Sequence, residues 1–179
     1  HPTDLGHKMI ADLICNLLDT EYSYYKKLGA EKKPALPGPF TASRYEDAQR
    51  FQNYSCSPVM EGFEPDTHAA EQWSDPFKGG WIAHKQGSCI KFNVSGGIIM
   101  LQYRKTINKP APVAYAVIDG DRQNKVLLDA NFDEDWGDLC CLEEIYSGAK
   151  GEHTVEIVID TEGKENSDFM LISVITANK

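Results

Sequence analysis

Chemistry in this sequence concentrates in two places: the acidic stretch Asn131-Phe132-Asp133-Glu134-Asp135-Trp136-Gly137-Asp138, and the histidine that leads into Pro2 at the start of the chain. In the first, a tryptophan stands among carboxylates, a loop composition that turns an indole ring toward water. A flat exposed ring offers a stacking face to a ligand ring, and planar polar side chains beside it offer hydrogen bonds. Trp136 is therefore the leading candidate for a ligand contact. Trp81, Tyr103, Tyr115 and Trp73 are the other ring candidates, with Arg104, Asn131, Asp119, Asp121 and Asp135 as polar partners. Tyr103 and Tyr115 lie in alternating runs and can face either side of a sheet, while Trp81 follows Gly79-Gly80 at a strand start and is equally a candidate core residue.

The same loop gathers Asp129, Asp133, Asp135 and Asp138, hard oxygen ligands of the kind calcium takes. Their order is not the acid-x-acid-x-acid-Gly pattern with a closing glutamate. The expectation is a solvated acidic turn and no cofactor, with calcium as the alternative. The five cysteines include no C-x-x-C pair and signal neither a disulfide framework nor a zinc site. They read as buried thiols, with a bridge from Cys89 to Cys140 or Cys141 as the alternative.

Net charge narrows the partners. At −9, from 27 acids against 18 Lys and Arg, the chain repels a phosphate backbone, so nucleic acid is not an expected partner. No apolar run reaches the roughly 18 residues of a membrane span, and no signal-peptide pattern opens the chain. The chain reads as soluble, with no membrane partner and its compartment open.

The elements that must position these residues follow from periodicity. Leu5, Met9, Leu13, Leu17 and Ile10, Ile14, Leu18 form two adjoining helical rows, with Thr3 or Asp4 as cap, which predicts an amphipathic helix from Thr3 to Leu18. The helix is expected to fray through Tyr22, Tyr24 and Tyr25 and to end at Gly29, followed by a Pro-rich strap over residues 30–40. Short alternating runs then follow at Gly80–His84, Cys89–Val94, Ile98–Arg104, Val113–Ile118, Lys125–Leu128, Thr154–Ile159 and Phe169–Thr176. Turn chemistry at Gly96-Gly97, Asp119-Gly120-Asp121 and Gly148 to Gly151 separates several of them. Strands without intervening helices predict a mainly β fold, an antiparallel jelly-roll β-sandwich with one N-terminal α-helix.

The opening His1-Pro2-Thr3-Asp4-Leu5-Gly6-His7-Lys8-Met9-Ile10-Ala11 resembles the last sequence block of the SGNH (GDSL-type) hydrolases, in which a catalytic His precedes a Pro and opens the final helix. Carried over, His1 would be the general base that takes a proton from a serine nucleophile. Its orienting Asp would sit three residues earlier, and neither a Gly-Asp-Ser nucleophile block nor a Gly-x-Asn-Asp oxyanion segment occurs in the chain. From Leu36 onward, Leu36-Pro37-Gly38-Pro39-Phe40-Thr41-Ala42, Lys78-Gly79-Gly80-Trp81, Gln102-Tyr103-Arg104-Lys105 and Asp129 to Gly137 resemble the C-terminal region attached to some bacterial SGNH esterases.

The resemblance implies three parts: residues 1–29 as the terminal helix of an SGNH-type domain, 30–40 as a strap, and 41–179 as a β-sandwich accessory module. It implies a non-catalytic carbohydrate-binding module of a larger, secreted bacterial esterase, not self-sufficient as an enzyme. Its partners would be a polysaccharide or oligosaccharide and the esterase domain of the same parent chain. The alternatives are a purely structural module that packs on the esterase and binds no glycan alone, or a fragment of an active acetyl esterase.

Overall fold

A computed structural model describes residues 2–28, 38, 43–68, 75–160 and 168–178. His1, Trp73 and all of the strap except Gly38 lie outside the described residues. The chain divides into two units, residues 1–42 and 43–179.

The first unit is built on α1 (Asp4–Leu28). Thr3 caps it: its Oγ1 accepts from the Gly6 amide at 3.3 Å and its carbonyl from the His7 amide at 2.9 Å. Asp4 in the first turn and Lys26 and Lys27 in the last suit the helix dipole. An i,i+4 pair, Lys8 to Asp12 at 2.6 Å, adds a little on the polar side. The helix does not fray at the tyrosines but continues to Leu28. No Gly or Pro interrupts it there, and Lys26 sits over the Tyr22 ring at 5.3 Å from its centroid. Within this unit the rows Leu5, Met9, Leu13, Leu17 and Ile10, Ile14, Leu18 remain open.

The second unit holds nine antiparallel strands among the described residues: β1 (Gln49–Phe51), β2 (Val59–Glu61), β3 (Phe63–Pro65), β4 (Trp81–Ala83), β5 (Cys89–Lys105), β6 (Val113–Ile118), β7 (Val126–Asp129), β8 (Leu139–Ile159) and β9 (Phe169–Ala177). The hydrogen-bonded path is β3-β4-β9-β5-β8-β6-β7, with β1 on β9 and β2 on β5. The two longest strands make it a sandwich by passing through both layers. The first half of β5 and the second half of β8 lie with β2, β6 and β7; their other halves lie with β9, and β3 and β4 extend that layer.

Glycines mark where β5 and β8 change layer. Gly96-Gly97 is not a turn between two strands but a register shift inside β5, so Cys89–Val94 and Ile98–Arg104 are one strand. Gly148 to Gly151 falls likewise inside β8, whose first half had no counterpart among the expected strands.

Side chains of both layers meet between them. Ile90, Phe92 and Val94 of the first layer pack in one core with Ile99, Leu101, Phe169 and Leu171 of the second. The edge of the Trp81 ring meets Phe92 at 5.0 Å and 74°. Strands β4 and β5 share no backbone pairing, so this contact is made across the core. Each fully buried aliphatic side chain contributes roughly 1.5–3 kcal/mol to holding the layers together.

Candidate functional site

Two surfaces of the sandwich among the described residues carry an aromatic ring named as a ligand candidate. The first is the loop after β7. Trp136 is 64% exposed, its ring edge-on to Phe132 at 5.1 Å and 89°. Three of the carboxylates around it, Asp129, Asp133 and Asp138, serve the loop itself, while Glu134 and Asp135 stand exposed. Asp129 accepts from the Asn131 backbone amide at 2.9 Å and from its Nδ2 at 2.6 Å. Asp133 pairs with Lys109, which holds its carboxyl below the usual range. Asp138 accepts from the Ile107 amide at 3.3 Å and faces Arg104 Nε at 3.8 Å.

Of the four carboxylates of the calcium alternative, Asp129, Asp133 and Asp138 are thus met by protein donors, while Asp135 stands exposed. Among the described residues no three His, Cys, Asp or Glu side chains converge with metal-ligand spacing.

Several ring and polar candidates prove structural. Trp81 (1% exposed) and Tyr103 (2% exposed) are core residues, and Tyr103 stacks on Phe169 at 6.0 Å. Burial pushes the Tyr103 hydroxyl well above its ordinary pKa, with a hydrogen bond to Cys141 adding to the shift. Neither ring is available to a sugar. Asn131 turns inward, its Oδ1 accepting from the Ala111 amide at 2.9 Å while Nδ2 donates to the Ala111 carbonyl at 3.2 Å. Arg104 is half-buried and donates to the Asp168 carbonyl at 3.3 Å. Asp119 is taken by His153 at 2.7 Å and the Thr154 amide at 2.8 Å, bonds that lower its pKa. Asp121 caps a short turn, Arg122–Asn124. All five cysteines are free thiols, and burial raises Cys56, Cys89 and Cys140.

Tyr115 opens the second surface, the outer face of β5, β8, β6 and β7. Antiparallel register lays two rows across it. One runs Lys91, Glu156, Val117; the other runs Cys89, Val158, Tyr115, Leu127. Lys125 places its ammonium 3.5 Å from the Tyr115 ring centroid, a cation–π contact that fixes the ring. Glu156 is held between Lys91 at 2.9 Å and Arg122 at 3.5 Å. Over Tyr115, Val117 and Val158 lies a cavity of about 200 Å³, rimmed by Arg122, Lys125, Glu156 and Asp160.

The sequence reading named Tyr115 but missed its four charged neighbours. Alternation from Val113 to Ile118 does put Tyr115 and Val117 on one face. Bringing Glu156 and Val158 beside them requires the β6–β8 register, which no local pattern encodes.

One other cluster stands out. His84 bonds Asp168 through Nδ1 at 2.6 Å and Glu64 through Nε2 at 3.0 Å, and these two carboxylates raise its pKa. It ties together β3, the end of β4 and the approach to β9.

No family model and no curated protein matches the chain. Among solved structures, the chain is similar over its full length to a two-domain esterase active on acetylated mannans, at 40% identity and a TM-score of 0.86. A second structure of such an esterase, co-crystallised with mannopentaose, aligns at 41% identity and 0.82. The chain spans about half of that esterase, 48% of its length. A family two carbohydrate esterase from Cellvibrio japonicus shares the fold, at 13% identity and a TM-score of 0.54, over 74% of this chain and 34% of that one.

Proposed function

We propose that this chain is the accessory half of a secreted bacterial carbohydrate esterase, and that its sandwich engages the polysaccharide on which the catalytic half works. The observation that carries the reading is the 40% identity sustained over the whole chain against one half of an esterase active on acetylated mannans. An acetylated mannan is accordingly the first ligand to test.

The His1-Pro2 block and the amphipathic α1 support an SGNH-type catalytic partner. In this reading residues 1–29 close the catalytic domain, 30–40 form the strap, and 41–179 are the accessory module. His1 alone, without nucleophile, orienting acid or oxyanion donors in the chain, is not a self-sufficient catalyst. Among the described residues, the exposed Trp136 ring and the Tyr115 face are contacts the sandwich offers.

Calorimetry of the chain against acetylated and deacetylated mannan oligosaccharides, xylan, pectin and cellulose tests the reading. Binding to a mannan is the expected result. Binding to no member of the panel would leave a structural module that packs on the esterase, and release of acetate by this chain alone would overturn the non-catalytic assignment.

A further inference from the structure

The cavity over Tyr115 has the makings of a recognition site that the loop at Trp136 lacks. Its floor stands on strands, Tyr115 and Val117 on β6 and Val158 on β8, at positions set by backbone register, while Arg122, Lys125 and Asp160 stand just beyond strand ends. Its floor is apolar and aromatic, from Val117, Val158 and Tyr115, and its rim is charged and planar. Lys125 restricts the Tyr115 ring, and Glu156 draws the exposed Arg122 guanidinium toward the cavity more weakly, so a ligand would have less to order at the ring than at the rim.

Size and charge decide what fits. At about 200 Å³ the cavity lies below the roughly 300–1,000 Å³ of sites for drug-sized ligands. It holds one ring of a longer chain rather than a whole oligosaccharide. Two cations, Arg122 and Lys125, face two anions, Glu156 and Asp160. A uronate would gain from the first pair and lose to the second, in a chain whose net charge is −9. An uncharged polyol gains from both: Arg122 uses one arm of its fork on Glu156 and keeps other donors, while Asp160 supplies acceptors.

We propose that the outer face of β6 and β8 is a binding site for one neutral pyranose unit of a polysaccharide, read by Tyr115, Arg122 and Asp160. This rests on the carbohydrate-engaging role proposed above and assigns it a site distinct from the Trp136 loop. The sugar ring packs on the face of Tyr115 that Lys125 does not cover, Arg122 donates to its hydroxyls, and Asp160 accepts from them. Glu156 is a positioning residue that acts through Arg122.

The test is calorimetric titration of the full chain with mannopentaose, xylopentaose and a galacturonate pentamer, using Tyr115→Ala, Arg122→Ala, Arg122→Lys and Trp136→Ala. Arg122 lies at the surface, so its variants keep the fold even where Tyr115→Ala weakens it. Arg122→Ala and Tyr115→Ala should each weaken neutral pentasaccharide binding roughly tenfold, the loss of a hydrogen-bonded or ring contact. Arg122→Lys should recover part of that loss, because the charge returns without the fork. Trp136→Ala should leave a binding event that Arg122→Ala weakens by the same tenfold. A wild-type chain that binds a neutral pentasaccharide while Arg122→Ala and Tyr115→Ala bind it equally well refutes this site and leaves the proposed function standing. Tighter binding of the galacturonate than of either neutral sugar also refutes it. A wild-type chain that binds none of the three overturns the site, and the function falls with it when acetylated mannan, xylan, pectin and cellulose also go unbound.

Discussion

Trp81 and Trp136 make opposite predictions, and the pair tests the division of this sheet into core and surface. Trp81 is 1% exposed and meets Phe92 across the core, whereas Trp136 is 64% exposed on a loop. A buried indole removes about 200 Å² from water, worth roughly 5 kcal/mol at ~25 cal/mol/Å². The edge-to-face contact with Phe92 adds about 1 kcal/mol. Partial collapse of the site and compactness of the unfolded chain return some of this, so Trp81→Ala should cost about 4 kcal/mol.

Urea titration followed by circular dichroism reads that directly. With a slope of about 2 kcal/mol/M, the midpoint should fall by about 2 M, with the slope unchanged. Trp136→Ala should move it by less than about 0.3 M, since exposed substitutions stay within ~0.5 kcal/mol. Trp81→Phe, which keeps a ring for Phe92, should fall between them and stays measurable if the alanine variant does not fold. A midpoint for Trp81→Phe equal to wild type, or a larger loss at Trp136 than at Trp81, would refute the packing argument.

Other consequences are open to direct measurement. A Cβ at Gly80 would lie 2.0 Å from the Leu171 carbonyl oxygen and 2.8 Å from Ile172 Cα, both backbone of β9, so Gly80→Ala should destabilise by about 3 kcal/mol or more in the same titration. Asn131→Ala strips the Ala111 amide and carbonyl of their partner and should cost about 1–3 kcal/mol. His84 has its pKa raised in the fold by Glu64 and Asp168, so its contribution is whole below about pH 6.5, the unfolded value, and is lost as pH rises through the folded value. The stability gap between wild type and His84→Gln should therefore be present at about pH 5.5 and close at alkaline pH. It should stay under about 1 kcal/mol and shrink in high salt, because the cluster is half exposed.

What the sequence disclosed followed the range of its patterns. The rows from Leu5 to Leu18 and the Thr3 cap are local, and α1 begins where they place it. Val113–Ile118 and Phe169–Thr176 are short, nearly continuous apolar runs rich in β-branched and aromatic residues, and read as strands without the fold. Gly96-Gly97 misled because a glycine pair has the same composition in a turn as in a bulge, and only the β9 pairing that begins at Ile98 separates the two. The start of β8 was missed because Leu139 to Ser147 mixes acids and cysteines, with inward contacts that only the finished sandwich supplies. The same limit governs the site. Exposure of Trp136 could be read from its acidic neighbours, whereas burial of Trp81 depends on Phe92 reaching it from the opposite layer.

The two surfaces also differ in how well each could discriminate among sugars. Trp136 rests on Phe132 in a loop where Asp129, Asp133 and Asp138 are met by protein donors. Its ring stacks on any pyranose with a clear axial face, and the exposed carboxylates of Glu134 and Asp135 beside it can accept from hydroxyls but not donate to them. Tyr115 has partners of both kinds, Arg122 toward one side and Asp160 toward the other, and the β6–β8 register holds the floor between them. A missing or misdirected hydroxyl there leaves a donor or acceptor unmatched, a penalty of about 1–3 kcal/mol, or roughly five- to 150-fold in affinity. Changing the sugar should therefore be felt at Arg122 far more than at Trp136. The ratio of mannopentaose to xylopentaose affinity should survive Trp136→Ala and collapse toward one in Arg122→Ala, and a ratio that instead follows Trp136 would place recognition on the loop.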